Sequence, residues 1–130
     1  MTTMTSKKKW NSTITRTIEV DRFGSPEDFK AQWYTHRICL DIWLVTEISP
    51  SDILGRSRGR QVAKARSIIV WLLRDHFDFT FLAIARSLGR DHSTVIHSYK
   101  RMSRALSQPE SWERIVLSDI CDQPWRDIWL

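Results

Sequence analysis

The sequence predicts an all-α protein, and three kinds of observation support this prediction. Apolar residues recur three or four positions apart in successive stretches between residues 26 and 120, as they do on the buried side of an amphipathic helix. Residues that favour helix starts precede these stretches, for example Thr80, and Gly89 marks a helix end. We therefore expect four to six helices that bury one modest core.

The first long helix is predicted in "SPEDFKAQWYTHRICLDIWLV", residues 25–45. Ser25 is expected to cap it, Pro26 suits the first helical position, and the acidic residues 27 and 28 complement the helix dipole. Pro50 breaks this segment, and Ser51 is expected to cap a short helix after it. The side expected to face the core consists of Phe29, Trp33, His36 or Arg37, Leu40 and Leu44.

The middle of the chain predicts a helix-turn-helix. A basic loop, "GRSRGR" at residues 55–60, precedes a long helix whose expected inward side is Val62, Ala65, Ile69, Leu72, Leu73 and His76. Thr80 then caps a short helix, and Gly89 forms the turn before the next one. The inward positions of this pair are Ile84, Ala85 and Leu88, followed by Val95, Tyr99, Met102 and Leu106. Two short helices joined by a glycine-containing turn are typical of that motif.

The last predicted helix is capped by Ser111 and ends at Pro124. Its inward residues are Trp112, Ile115, Val116, Leu117 and Ile120. Three of the seven tryptophans, Trp33, Trp43 and Trp71, fit helical core positions. The other four flank the helix-turn-helix and either close its core or form a surface for a partner protein; they are Trp10, Trp112, Trp125 and Trp129.

These segments divide the chain into four parts: a flexible arm at 1–24, a flanking helix at 25–50, the helix-turn-helix domain at 51–106, and a Trp-rich acidic helix and tail at 107–130. Charge is uneven between them, because residues 55–106 carry eleven basic and three acidic side chains, whereas residues 1–54 carry seven of each. Such a basic block indicates either a polyanion partner, most often nucleic acid, or a solvated basic surface.

The stretch "LGRDHSTVIHSYKRM", residues 88–102, favours the nucleic-acid interpretation. Asp91 is expected at the N-cap, with His92, Ser93 and Thr94 in the first turn and pointing away from the core. Helix-turn-helix proteins contact base edges at this end of the second helix. Asp accepts from the cytosine amino group, and His and Ser donate or accept. Lys100, Arg101 and the basic loop are expected to lie along the flanking phosphates.

The same residues carry a resemblance to a known family. "GRDHSTVIHSYKRM", together with "SRGRQVAKAR" and "FLAIARSLGRDHSTV", resembles the C-terminal DNA-binding domain of the bacterial replication initiator family DnaA, over residues 51–106. The resemblance implies that Arg60 enters the minor groove and that Asp91, His92 and Ser93 contact bases in the major groove. As phosphate contacts it implies Arg58, Arg66, Thr94 and Lys100. Further phosphate contacts are predicted for Arg56, Arg90 and Arg101, and His97 is either a phosphate ligand or a surface histidine beside the core.

The sequence departs from the family pattern in three respects. Only one glycine, Gly89, precedes the Arg-Asp-His string, and Phe81-Leu82 stands where the family often has a Leu-Pro pair that contacts thymine methyls. These changes are expected to tilt the recognition helix or relax sequence preference. The phosphate-binding motif GxxxxGK[ST] of an ATPase is absent from the 130 residues, so we expect a free-standing relative of the DNA-binding module.

Other classes of function have little support in the sequence. No HxxxH or CxxC spacing indicates a metal site, no cofactor motif is present, and no nucleophile–base pair indicates an enzyme. Cys39 and Cys121 are interpreted as reduced thiols, with a disulfide as the alternative. The start lacks the apolar segment of a secretory signal and no run is apolar enough to span a membrane, so we expect a cytoplasmic, nucleoid-associated protein.

The sequence therefore predicts a protein that binds specific sites in double-stranded DNA similar to DnaA boxes and regulates replication initiation or transcription. A second hypothesis is a protein-interaction module that controls the initiator or its regulators. In that hypothesis the helix-turn-helix is kept as a scaffold, and replication or transcription proteins bind the Trp-rich flanks.

Overall fold

The computed structural model describes residues 26–121, which form helices and no strands, so the predicted all-α class is confirmed. Within this range two α-helices precede the basic loop and four follow it, and the second and third of these four are the pair of the predicted helix-turn-helix. The six α-helices are α1 (Pro26–Thr46), α2 (Pro50–Leu54), α3 (Arg60–Trp71), α4 (Phe81–Leu88), α5 (His92–Leu106) and α6 (Trp112–Cys121). A π-helical turn, Leu72–His76, continues α3.

Hydroxyl caps define where three helices begin. The Oγ1 of Thr80 accepts a hydrogen bond from the Ala83 amide at 3.1 Å, which confirms the predicted start of α4. The Oγ of Ser111 likewise accepts from the amide of residue 114 at 3.2 Å. The predicted cap of α2 was wrong by two residues, because Ser49 and not Ser51 accepts from the Asp52 amide. Proline at position 50 requires an extended residue before it, and Ser49 has that conformation, which is also that of an N-cap.

The core lies where α1 packs against α4 and where α3 packs against α5. The side chains of Ile38, Ile69, Ile84 and Met102 are fully buried at these contacts. Two buried hydroxyls add a polar link, since Thr35 of α1 donates to the Oγ of Ser87 in α4 at 2.9 Å. Helix α6 completes the core with Val116, Leu117 and Ile120. Most of the inward positions predicted for α3, α4 and α5 are confirmed.

The inward side predicted for α1 was wrong in its C-terminal half. Leu40 and Leu44 are 43% and 78% exposed, and Trp43, predicted in the core, is 47% exposed. The buried side carries Ile38 and Ile42 instead. The segment "ICLDIWLV" is apolar nearly all around the helix, so two sides have helical spacing and the residue pattern alone does not decide between them.

Two further inward positions were also wrong. His76 is exposed because the π-helical turn inserts one residue: the Phe77 amide donates to the Leu72 carbonyl, five residues earlier. Phe77 therefore occupies the inward direction that regular helical spacing assigns to His76. Ile115 of α6 is 51% exposed, although its neighbours Val116 and Leu117 are buried as predicted.

Some predictions lie outside residues 26–121. These are the cap at Ser25, the helix end at Pro124, and the roles of Trp10, Trp125 and Trp129. Cys39 is a free thiol in the core, and burial raises its pKa to about 12, with the charge of Asp41 adding to the effect. None of the helices in the described range combines the length and apolar character needed to cross a bilayer.

Candidate nucleic-acid interface

A left-handed glycine sets the turn between α4 and α5. Gly89 has φ 64° and ψ 38°, and its amide donates to the Arg86 carbonyl at 3.3 Å. The amide of Arg90 donates to the Ala85 carbonyl at 3.0 Å, which closes the last turn of α4. Because glycine adopts this conformation without a Cβ clash, a single Gly89 suffices to place the N-cap of the second helix, Asp91, two residues later.

The start of α5 presents the four predicted polar side chains to solvent. Asp91, His92, Ser93 and Thr94 are all exposed, whereas Val95 is buried and anchors the helix. Asp91 is the N-cap residue by backbone geometry, and its carbonyl accepts from the Val95 amide at 3.1 Å. Its carboxylate makes no capping hydrogen bond, so within residues 26–121 this acceptor is uncommitted. Capping alone therefore does not explain the aspartate.

Phe81, one of the departures from the family pattern, packs against the start of α5. The ring of Phe81 lies edge-to-face with the His92 ring at 6.2 Å and with the Tyr99 ring at 5.3 Å. The guanidinium of Arg74 lies over the Phe81 ring, 4.7 Å from its centroid. Leu82, the second residue of the altered pair, is 49% exposed. Phe81 thus packs inside the motif, while Leu82 remains on its surface.

Arg66 of α3 binds the backbone of the basic loop and of the short helix α2 before it. Arg66 donates from Nε to the Ile53 carbonyl at 2.7 Å, and from Nη2 to the carbonyls of Asp52, Gly55 and Ser57 at 3.2, 3.1 and 2.8 Å. The side chains of the loop that were predicted to contact DNA point outward: Arg56, Arg58 and Arg60 are all exposed, and Arg60 is the first residue of α3.

A second arginine joins this loop to the turn before α5. Nη2 of Arg90 donates to the Gly55 carbonyl, the same acceptor that Arg66 uses. Nη1 of Arg90 donates to the carbonyls of Leu88 and Gly89, each at 3.4 Å. Burial lowers the pKa of Arg66, and the nearby positive charge of Arg90 lowers it further. Two guanidinium groups therefore meet at one carbonyl oxygen despite their repulsion.

A cleft of about 420 Å³ beside α3 and α5 brings five of the predicted phosphate contacts together. These are Arg66, Arg90, Thr94, His97 and Arg101. The other predicted residues lie outside this cleft and are exposed on the loop, at the start of α3 and on α5: Arg56, Arg58, Arg60, Asp91, His92, Ser93 and Lys100.

The cleft also contains Arg104 and Ser98, which the sequence analysis did not include among the site residues. The signal was present in the spacing, because residues 94, 97, 101 and 104 recur three and four positions apart and are all polar or basic. A second helical face of this kind lies beside the apolar stripe of α5.

Positive charge dominates this surface. Between residues 26 and 121, no carboxylate forms an ion pair with Arg56, Arg58, Arg60, Lys100 or Arg101. An ion pair does form at another surface, where Arg86 of α4 lies 3.0 Å from Asp28 of α1. Histidine, cysteine and acidic side chains of the described residues do not gather in threes as metal ligands would. The arrangement suits an extended polyanion that passes over the loop and the start of α5.

Comparison with known proteins identifies the family. The family model of the bacterial dnaA protein helix-turn-helix matches residues 38–102, half of the chain. The chain belongs to this family. It therefore carries a DnaA-type helix-turn-helix, a DNA-binding domain and not a catalytic one, as the resemblance implied. The match begins inside α1, thirteen residues (51 minus 38) before the start expected from the sequence.

Curated relatives match over the same region. The chain is 36% identical over 69 residues to the chromosomal replication initiator protein DnaA of Caldanaerobacter subterraneus subsp. tengcongensis, covering 53% of this chain and 16% of that protein. It is 35% identical over 63 residues to DnaA 1 of Chlamydia muridarum, covering 48% and 14%. For DnaA of Picosynechococcus sp., the identity is 33% over 79 residues, covering 60% and 17%. The chain thus spans about one sixth of these relatives, and no solved structure matches it.

Proposed function

We propose that the chain binds double-stranded DNA at sites similar to DnaA boxes and regulates replication initiation or transcription there. The observation that carries this proposal is the exposed polar edge of α5, where the Asp91 carboxylate is uncommitted and an arginine-bearing loop is held beside the helix. A capped, purely structural helix start has no need of such an edge. The proposal places the protein on DNA in the cytoplasm.

Specific recognition is assigned to four side chains. Asp91 accepts a hydrogen bond from a cytosine amino group, while His92 and Ser93 contact the adjacent base edges in the major groove. Arg60, exposed at the first position of α3, enters the minor groove. Two grooves are then read from one side of the duplex by a single copy of the domain, which corresponds to an asymmetric site.

Phosphate contacts supply most of the binding free energy in this proposal. They come from Arg56 and Arg58 of the loop and from Thr94, His97, Lys100 and Arg101 of α5. Arg66 and Arg90 contribute positive charge from the cleft, although several of their N–H groups already bind loop carbonyls. Binding is therefore expected to weaken steeply with added salt.

Fluorescence anisotropy with a DnaA-box duplex and a scrambled duplex tests the proposal. The His92→Ala variant is expected to lose about 1–3 kcal/mol of affinity for the box, which is roughly 5- to 150-fold, and to bind the scrambled duplex as the wild type does. His36→Ala is the matched control, because this exposed histidine lies on α1. Equal affinity of wild type and His92→Ala for the box would reject the major-groove role.

A second candidate function rests on the exposed apolar residues of α1. Leu40, Trp43 and Leu44 share one side of that helix and are 43%, 47% and 78% exposed. We infer that replication or transcription proteins bind through the flanks of the motif, with this side as the contact. A pull-down with the full chain compares the wild type with Trp43→Ser. The full chain is needed because Ile38 of α1 and Ile120 of α6 belong to the core, so residues 51–106 lack part of it. A partner retained by both proteins would rule out this side of α1.

A further inference from the structure

We propose that Arg66 and Arg90 act as positioning residues: by sharing the Gly55 carbonyl they fix the basic loop at a set distance from the recognition helix α5. This inference rests on the proposed function, because the distance that they fix is the one between the minor-groove arginine and the major-groove edge. From the sequence, both residues were predicted only as phosphate contacts.

The hydrogen bonds of the two arginines support a positioning role. Arg66 uses Nε and Nη2 to bind four carbonyls of residues 52–57, which leaves only its Nη1 group for a ligand. Arg90 binds carbonyls on both sides of a gap of 35 residues, since it donates to Gly55 and also to Leu88 and Gly89. Arg90 therefore connects the loop to the turn from which α5 begins.

The loop has few other means of keeping its position. Within residues 56–59, the hydrogen bonds besides those to Arg66 are that of the Gly59 amide to the Ser57 hydroxyl, at 3.4 Å, and that of the Gly59 carbonyl to the Ala63 amide, at 3.0 Å. The side chains of Arg56 and Arg58 are exposed. A loop that carries unpaired positive charges and buries no large apolar side chain is mobile unless its backbone is bound.

Gly55 provides an independent observation at the same point. A Cβ added to Gly55 would lie 2.5 Å from the Ser51 carbonyl oxygen, so the backbone there must move to accept any side chain. The φ of Gly55 is −88°, an ordinary value, so a positive φ is not what requires glycine here. Close backbone packing places its carbonyl where both guanidinium groups reach it.

Recognition depends on the distance between the basic loop and the start of α5. Bases in the two grooves are contacted together only if Arg60 and the Asp91–Ser93 edge are held at the spacing of the duplex. A loop that moves freely would pay an ordering cost upon specific binding, while its positive charges would still attract any duplex. We call the hydrogen bonds from Arg66 and Arg90 to the Gly55 carbonyl the clamp. The clamp should therefore affect the preference for the box more than the affinity for DNA in general.

The experiment uses the full chain with Arg90→Lys and Gly55→Ala, and Arg104→Lys as control. Lysine retains the positive charge but lacks the planar fork that spans both acceptors, and Arg104 lies in the same cleft without a hydrogen bond to the loop. The first measurement is the 15N order parameter of the loop amides 56–58 in the free protein. We expect the order parameter of these amides to fall from about 0.85 in the wild type to below about 0.6 in Arg90→Lys and in Gly55→Ala. In Arg104→Lys it should equal the wild-type value.

The second measurement is the ratio of affinities for a DnaA-box and a scrambled duplex, at several salt concentrations. Both clamp variants should lose at least tenfold of that ratio while the slope of log affinity against log salt stays unchanged. The double variant, with Arg90→Lys and Gly55→Ala, should lose no more of that ratio than the single variant with the larger loss, because both substitutions act on one carbonyl.

Loop order parameters that stay at the wild-type value would overturn the clamp, and an unchanged ratio in mobile-loop variants would overturn its role in recognition. If Arg90→Lys and Arg104→Lys changed the affinity ratio equally, both arginines would instead act as phosphate ligands. If the wild type itself shows no preference for the box, the proposed function fails, whereas the order parameters still decide whether the clamp exists.

Discussion

Replacing Gly89 by alanine tests the turn on which the recognition helix depends. Gly89 has φ 64°, and an added Cβ would meet no heavy atom within 4 Å. The substitution therefore causes no clash, and its cost is the strain of an L-residue in the left-handed region, about 1–2 kcal/mol. Because asparagine tolerates this conformation better than alanine, Gly89→Asn should cost less than Gly89→Ala.

Urea denaturation followed by circular dichroism measures this loss. The midpoint should shift at an unchanged m-value, since the surface exposed on unfolding stays the same. The corresponding fall in melting temperature is about 3–8 °C per kcal/mol for a domain of this size. A loss above about 3 kcal/mol would refute the reasoning, because it requires a steric contact that the described residues do not make at Gly89. Equal losses for alanine and asparagine would also refute it, because the left-handed backbone would then not be the source of the cost.

Two further changes test the core. Burial raises the pKa of Asp41 to about 7, against the opposing effect of Arg37, and its Oδ2 has no hydrogen-bond partner in the described part of the chain. Between about pH 4 and 7 the unfolded carboxyl ionises while the native one stays protonated, so the wild type loses stability as pH rises. The free energy of unfolding of Asp41→Asn, relative to that of the wild type, should therefore rise by roughly 2–4 kcal/mol over that range. A difference between the two that does not change with pH would contradict this. Met102→Ala removes a fully buried side chain and should cost about 2–5 kcal/mol in the same denaturation assay; a loss under 1 kcal/mol would show that the α3–α5 contact repacks.

Sequence reasoning succeeded where a helix has one apolar side. In α5, Val95 and Met102 lie on one side of the helix and the opposite side is strongly polar, so the periodicity defines the inward direction. It failed for α1, where apolar residues such as Leu44 and Ile42 lie on opposite sides and only the packing partners decide between them. It also failed at His76, because a π-helical insertion leaves no mark in the residue pattern.

The candidate site, like the fold, could be predicted from the sequence only in part. The turn at Gly89, the cap position of Asp91 and the exposed edge of α5 follow from local chemistry that the sequence displays directly. The bonds from Arg66 and Arg90 to one carbonyl do not, because a guanidinium binds any oxygen that the fold brings within reach. Residue type therefore predicts that these arginines carry charge, and only the fold shows which acceptors they use.

The most direct test of the DNA-reading edge is a selection of bound duplexes from a random pool, performed with the wild type and with His92→Ala. The wild type should enrich one asymmetric motif, and the variant should lose discrimination at one or two adjacent base pairs while it keeps the rest. Enrichment of the same motif by both proteins, or of none by the wild type, would contradict recognition of bases by the start of α5.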